Sequence, residues 1–170
     1  MNRIFRHLSA AEEARILGEA ESRRAAPGEA IVREGEPRTG IFVIRSGVVR
    51  VEKDSAGFPL EISRLGPAEI FGEMSFVEGS EASASVVAED DQSVEVVRIA
   101  QEQLEPLLEA EPGVYGRFYK SLAEILSQRL RTTSSLMATP DWSPRGFPAR
   151  EEEHAASERR DWGPPPLLEP

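Results

Sequence analysis

The chain has 170 residues, with 20 Lys and Arg against 30 Asp and Glu, a formal net charge of −10 and no cysteine. This length suits one domain with its own core and is short for two. An acidic chain gains no counterion-release affinity from a phosphate backbone, so general nucleic-acid binding is not expected. The lack of cysteine excludes disulfides, thiol nucleophiles and Cys-ligated zinc, and it fits a reducing compartment.

The N-terminal segment, residues 1–7, is basic, but no apolar segment follows it, so the sequence predicts no secretory signal. No stretch of uncharged apolar residues is long enough to span a bilayer. We therefore expect a soluble, cytoplasmic protein with no membrane partner.

Ser9 and Glu12 form a capping-box pattern that predicts a helix over Ala10–Leu17. After Pro27-Gly28 the chain changes to short β-branched and aromatic runs separated by turns. The six predicted strands are Ala30–Arg33, Ile41–Arg45, Val48–Lys53, Leu60–Leu65, Ser83–Ala88 and Ser93–Ile99. A turn at Asp54–Gly57 joins two of them into a hairpin. The pattern predicts a mainly β protein with flanking helices, folded as an antiparallel, jelly-roll-like β-roll or a sandwich.

Helical spacing returns after the last strand. Three leucines predict a helix over Gln101–Glu109, in which Pro106 is tolerable only near the first turn or with a kink. A long C-terminal helix over residues 114–136 carries an apolar stripe of Phe118, Leu122, Ile125, Leu126 and Leu130. This stripe packs either onto its own roll or onto its twin, and we expect a homodimer through this helix. Arg129 is interpreted as the edge of the stripe rather than a salt-bridge partner.

Residues 8–137 form the predicted domain, and residues 138–170 form a predicted disordered, proline-rich tail. The tail contains Pro164–Leu168 near its end, which is interpreted either as an extended segment for a protein partner or as a solvated linker. It holds four Arg against seven Asp and Glu, so no DNA recognition helix and no DNA partner are predicted there.

The most distinctive stretch is Gly66–Phe76 followed by Glu81–Val86. It resembles the phosphate-binding cassette of cyclic nucleotide-binding domains, whose pattern is Phe-Gly-Glu-(Leu/Met), a short loop, then Arg-x-Ala-(Ser/Thr)-(Val/Ile). Upstream, residues 27–36 and 40–51 are similar to the glycine-punctuated strands of that family, in the same order. The resemblance covers Leu8 to Met137.

The resemblance implies a cyclic nucleotide ligand, cAMP or cGMP, and no cofactor. A helix opening after Gly72 would offer free amides to the phosphate, the family's glutamate at Glu73 accepts from the ribose 2′-hydroxyl, and a small polar residue at Ser85 meets the base. The candidate ligand-binding residues are Phe71, Gly72, Glu73, Met74, Ser75, Ala82, Ser83, Ala84 and Ser85. Among these, Phe71 and Met74, like Phe76 beside them, are interpreted as core residues first. Glu73 reads equally as a helix-dipole partner.

One position departs from the family. The pattern has an arginine on the phosphate where this chain has Ala82, with Glu81 and Glu78 nearby. Charge-assisted hydrogen bonds contribute about 1.5–3 kcal/mol. The absence of the arginine therefore predicts that a cyclic nucleotide binds about ten- to a hundredfold more weakly. Substitute cations could come from predicted strands, which carry Arg45, Arg50 and Arg64.

An enzymatic function is not predicted. Metal enzymes with a β-roll need several His and carboxylate ligands, and this chain has only His7 and His154. The sequence therefore predicts a non-enzymatic regulatory module that senses a small ligand with weakened or altered nucleotide binding. The alternative is a degenerate domain that has lost its ligand and serves as a dimeric scaffold for a protein partner.

Overall fold

The fold is seen in a computed structural model that describes residues 4–37 and 39–137. Within these residues the chain forms eight strands and four helices. In chain order they are α1 (Ala10–Gly18), β1 (Glu21–Ala25), β2 (Ala30–Val32), β3 (Gly40–Ser46), β4 (Val49–Ser55), β5 (Phe58–Leu65), β6 (Ile70–Phe71), α2 (Glu73–Glu78), β7 (Ser85–Ala88), β8 (Val94–Ala100), α3 (Gln101–Ala110) and α4 (Pro112–Met137).

The strands form two four-stranded sheets, with the orders β1-β8-β3-β6 and β2-β7-β4-β5. Within each sheet, all of the neighbouring strands pair antiparallel. Non-consecutive neighbours make this a roll rather than a meander, because β8 returns between β1 and β3. The predicted antiparallel β-roll with an N-terminal helix and a long C-terminal helix is confirmed.

Alternation along the strands divides the buried side chains into two cores. On β8, Val94 and Val96 face the second sheet, whereas Val97 and Ile99 face the helices, as a period of two requires. The roll core, between the sheets, contains Ala25, Ile31, Phe42, Ile44, Val49, Leu65, Phe71, Val86, Ala88, Val94 and Val96. The helix core includes Phe5, Leu8, Ile16, Ile41, Val43, Ile70, Phe76, Leu104, Leu108, Val114, Phe118 and Leu122.

Two strands, β1 and β6, were not predicted from the sequence. β1 pairs with β8, but four of its five residues are exposed, so Glu21–Ala25 lacks the apolar alternation that marks a strand. β6 has only two residues. The six predicted strands and the hairpin between β4 and β5 are present with ends shifted by up to two residues. Helix α3 continues past Pro106.

Helix α4 packs on its own domain with only part of its apolar stripe. Its first half carries Val114, Phe118 and Leu122, which are buried in the helix core, with the Phe118 ring 5.0 Å from that of Phe5. Further along, Leu130 is 69% exposed. The start of the stripe therefore packs on its own domain, and its end leaves an apolar surface. The predicted tail, residues 138–170, lies outside the described residues, and its disorder stays a prediction.

Acid should weaken the anchoring of α1 through Glu12. The capping box is present: Glu12 accepts from the Ser9 amide at 2.7 Å, and it also pairs with Arg117 of α4. The Ser9 amide first, and then Arg117, lower the pKa of Glu12 to about 2. Since this pKa lies below its unfolded value of 4.5, the stabilisation is complete above about pH 4.5 and is lost as the pH falls towards 2.

We therefore expect Glu12→Gln to lower the free energy of unfolding at pH 7 and to make no difference near pH 2. Urea denaturation at both pH values measures this. An equal deficit at both pH values would contradict the assignment. Glu19→Gln serves as the control, because Glu19 is an exposed glutamate at the other end of the same helix.

Candidate functional site

The candidate site begins where β6 ends and α2 starts. Gly72 joins them with a left-handed backbone, at a φ of 83°. A Cβ at this position would lie 2.6 Å from the backbone oxygen of Gly40, so a larger residue is strained by both its conformation and its surroundings. The glycine thus allows α2 to start directly above the sheet, with its free amides at the cassette.

The residues around this turn differ in their environment. Phe71 is buried and its ring stacks on that of Phe42 with centroids 4.8 Å apart, which agrees with its interpretation as a core residue. Phe76 is buried as well. Met74, in contrast, is 43% exposed, so its interpretation as a core residue is wrong. Ser75 is buried, and its hydroxyl donates to the Glu81 carbonyl at 3.0 Å, which fixes the loop that follows α2.

Glu73 is the buried carboxylate of the site. It is 2% exposed, and Arg129 of α4 donates to its Oε1 at 2.5 Å. The same guanidinium also donates to the Ile70 carbonyl, on the strand that leads into the cassette. Arg129 therefore ties α4 to both sides of Gly72. The interpretation of Arg129 as a mere edge of the apolar stripe is wrong.

The ion pair between Arg129 and Glu73 is the contact of the candidate site that the sequence did not predict. Arg129 and Glu73 are 56 residues apart, and no local pattern links them. Only the burial of Glu73 points to a cationic partner, because a buried charged group needs one, and this burial is not visible in the sequence. The family-derived role of Glu73 and its salt bridge concern the same carboxylate, so a ribose hydroxyl would share it with Arg129.

The second part of the cassette is bound to the loop between β2 and β3. The Ala82 amide donates to the Glu36 carbonyl at 2.9 Å, and the Gly35 amide donates to the Ala82 carbonyl at 2.8 Å. The Ser85 hydroxyl accepts from the Glu34 amide at 3.0 Å. The backbone frame of residues 82–85 is thus fixed although Ala82 carries no charge.

Two of the predicted substitute cations are engaged elsewhere. Arg50 and Arg64 lie opposite each other on β4 and β5, on the face away from the roll core. Asp90 and Glu52 hydrogen-bond Arg50 and raise its pKa, and Glu61 does the same for Arg64. Arg45 is exposed at the end of β3. Neither Arg50 nor Arg64 therefore takes the place of the missing arginine.

Another cation does lie beside the cassette. The Lys53 ammonium, at the far end of β4, donates to the Ser83 carbonyl at 2.7 Å and to Glu34 at 2.9 Å. Ser83 directly follows Ala82. Lys53 was not among the predicted substitute cations, because its contact with Ser83 spans 30 residues and has no local sequence signal.

A cavity of about 370 Å³ opens at a different place, between β1 and the loop that follows β2. None of the nine predicted site residues lines it. Its two arginines are each paired with a carboxylate, Arg23 with Glu29 at 3.0 Å and Arg98 with Glu21 at 2.9 Å. Its charge is therefore balanced, and it adjoins the cassette through Glu36, which contacts Ala82, and Phe42, which stacks on Phe71.

Among the residues that the structure describes, no group of three or more His, Asp or Glu side chains could hold a metal ion. Within the same residues, no helix is both long and apolar enough to cross a bilayer.

The molecule is an antiparallel β-roll of two sheets, with a short helix after a left-handed glycine and a C-terminal helix that packs on the roll. The family model described as "Cyclic nucleotide-binding domain" matches residues 22–111. The chain belongs to the cyclic nucleotide-binding domain family.

Individual relatives agree with this assignment. The cyclic AMP receptor protein of Thermus thermophilus is 33% identical over 129 residues, which are 75% of this chain and 57% of that protein. A cAMP-dependent protein kinase regulatory subunit of Mycosarcoma maydis is 31% identical over 120 residues, 69% of this chain and 23% of the relative. The chain therefore spans less than two thirds of the length of these relatives.

Solved structures share the fold. The catabolite activator protein of Thermus thermophilus matches with a TM-score of 0.64 and 30% identity, over 79% of this chain and 61% of the other. A cyclic nucleotide-binding domain from Methylobacillus flagellatus matches with a TM-score of 0.68 and 26% identity, over 75% of this chain and 71% of the other.

Proposed function

We propose that this chain is a non-enzymatic regulatory module that binds a cyclic nucleotide, cAMP or cGMP, with reduced affinity. The observation that carries the proposal is the buried Glu73 at the start of α2, held beneath α4 by Arg129. A buried carboxylate next to free helix amides offers an acceptor for a ribose hydroxyl and donors for a phosphate within one turn. Two of the relatives, the cyclic AMP receptor protein and the cAMP-dependent protein kinase regulatory subunit, are named for cAMP, which supports the choice of ligand.

The reduced affinity follows from position 82. With Ala82 the cassette backbone keeps its hydrogen bonds to the loop at Gly35 and Glu36, but it lacks a bidentate cation for the phosphate. Glu78, the last residue of α2, and Glu81, in the loop that follows it, are exposed and add negative charge. The helix N-terminus contributes only about 0.3–1 kcal/mol, which does not replace the arginine.

Calorimetric titration of the full chain with cAMP and with cGMP tests this proposal, and 5′-AMP is the control ligand. We expect one of the cyclic nucleotides to bind at micromolar to submillimolar concentration and 5′-AMP to bind more weakly. No heat from either cyclic nucleotide up to millimolar concentration would contradict the proposal. That result would favour the alternative function, a dimeric scaffold that engages a protein partner without a nucleotide.

We also propose a homodimer through α4. The end of its apolar stripe is exposed at Leu130 (69%), and β5 exposes Phe58 (75%) and Ile62 (54%). A second copy of the chain packed against α4 would remove Leu130 from water, at about 25 cal/mol for each Å² of apolar surface. Absence of a DNA partner and a cytoplasmic location stay predictions of the sequence.

Light scattering tests the dimer by comparing the molar mass of the unmodified chain with that of one disruptive variant and one control variant. The unmodified chain is expected at twice its mass of 18.7 kDa, and Leu130→Glu is expected at the mass of one chain, because a buried unpaired charge is costly. Gln128→Glu adds the same charge at an exposed polar position of α4 and should leave the dimer intact. A monomeric unmodified chain, or an intact dimer of Leu130→Glu, would contradict the proposal.

A further inference from the structure

Lys53 is a cation beside the second part of the cassette, residues 82–85. Its ammonium is 2.7 Å from the carbonyl oxygen of Ser83, the residue next to the position where the family pattern has its arginine. The side chain is 50% exposed, so the ammonium is open to solvent and within reach of a ligand. We propose that Lys53 contacts the cyclic phosphate of the ligand in place of the arginine that position 82 lacks. This inference rests on the proposed function.

Strand register places Lys53 on the correct face. β4 pairs with β7 so that Val51 lies opposite Val86 and Glu52 opposite Ser85. Because side chains alternate, Lys53 shares the inner face of the roll with Val51, which packs against the roll core. Arg50 and Glu52 share the outer face, where they pair with each other at 3.0 Å. Lys53 is thus the cationic side chain that β4 directs towards the cassette.

The contacts of the Lys53 ammonium use two of its N–H groups and leave the third for a ligand. The ammonium carries three N–H groups, of which one goes to Ser83 and one to Glu34 at 2.9 Å, and this leaves one without a partner among the described residues. Its flexible stem allows the ammonium to move without a shift of the strand. A phosphate bound along residues 82–84 would attract this group.

Glu34 competes with a bound phosphate for the positive charge of Lys53. Its carboxylate accepts from the Asp54 amide at 2.9 Å and from Lys53, and these two contacts, in that order, lower its pKa. Glu34 therefore stays ionised at neutral pH and competes with a phosphate for Lys53. Removing its charge should strengthen nucleotide binding, whereas removing the charge of Lys53 should weaken it.

The test uses the full chain and calorimetric titration with cAMP, and with adenosine as a ligand that has no phosphate. We expect Lys53→Met to weaken cAMP binding by about tenfold, less than the loss of a bidentate arginine because the lysine is half exposed. Adenosine binding should not change, and Lys53→Arg should restore cAMP binding. Glu34→Gln keeps an acceptor for Asp54 and should tighten cAMP binding by about threefold.

Lys120→Met is the matched control, because Lys120 is the other lysine of the chain and is exposed on α4. It should change cAMP affinity by less than twofold. Equal affinities of Lys53→Met and Lys120→Met would overturn the role of Lys53 alone. A loss of adenosine binding together with cAMP binding in Lys53→Met would also overturn it, because the effect would then be structural. An unmodified chain that binds no cyclic nucleotide would overturn the proposed function and this inference with it.

Discussion

Replacing Arg129 with methionine should lower the free energy of unfolding by about 2–4 kcal/mol. Breaking one side of a buried ion pair costs about 3–5 kcal/mol, because the remaining charge stays buried without a partner. In this protein the remaining charge is Glu73, whose side chain is 3% exposed, while the Arg129 side chain is 29% exposed. Solvent therefore screens part of the interaction and places the expected cost below that of a fully buried pair.

Two further variants separate the ion pair from other effects of the substitution. Arg131→Met removes the same charge from an exposed position of α4 and should change stability by less than about 0.5 kcal/mol. Adding Glu73→Gln to Arg129→Met should recover part of the loss, because a neutral amide is less costly to bury than a carboxylate. Chemical denaturation measures all three. If Arg129→Met and Arg131→Met were equally stable, the contact with Glu73 would contribute nothing.

The second large expected effect is a gain in affinity for cAMP. Ala82→Arg should tighten cAMP binding by about ten- to a hundredfold, the equivalent of about 1.5–3 kcal/mol for a charge-assisted contact. The backbone at position 82 is already held by the loop at Gly35 and Glu36, so the new side chain starts from a fixed Cα. Ala82→Gln has similar length without charge and should give no such gain. Calorimetric titration of both variants beside the unmodified chain measures the difference.

Each outcome of this comparison has a separate meaning. Binding in the unmodified chain that Ala82→Arg strengthens supports a functional but weakened site. Binding only in Ala82→Arg would show an intact frame that has lost its ligand. No binding in either would contradict the account and favour the scaffold alternative. Equal gains in Ala82→Arg and Ala82→Gln would show that charge is not the missing element.

The sequence predicted most of the roll because its signals are local. Turn glycines and short β-branched runs mark six strands, and Ser9 with Glu12 marks the start of α1. The exposed β1 has no such signal, because its pairing with β8 rather than its own side chains makes it a strand. A two-residue strand such as β6 is too short to have a pattern.

The candidate site was less predictable because its charges come from distant segments. Glu73 meets Arg129 across 56 residues, and Lys53 meets the Ser83 carbonyl across 30. Both contacts depend on how α4 and β4 are placed around the cassette, which no local spacing encodes. Burial of Glu73 was equally hidden, since a glutamate at a helix start is as often an exposed partner of the helix dipole.

The most direct test of the account is calorimetric titration of the full chain with cAMP beside Glu73→Gln. The account predicts binding by the unmodified chain and a loss of about tenfold in the variant, because a carboxylate accepts a ribose hydroxyl more strongly than an amide does. Glu109→Gln, at an exposed glutamate of α3 outside the cassette, is the control and should bind as the unmodified chain does. Equal affinities in all three proteins, or no binding in any, would contradict a ligand site at Glu73.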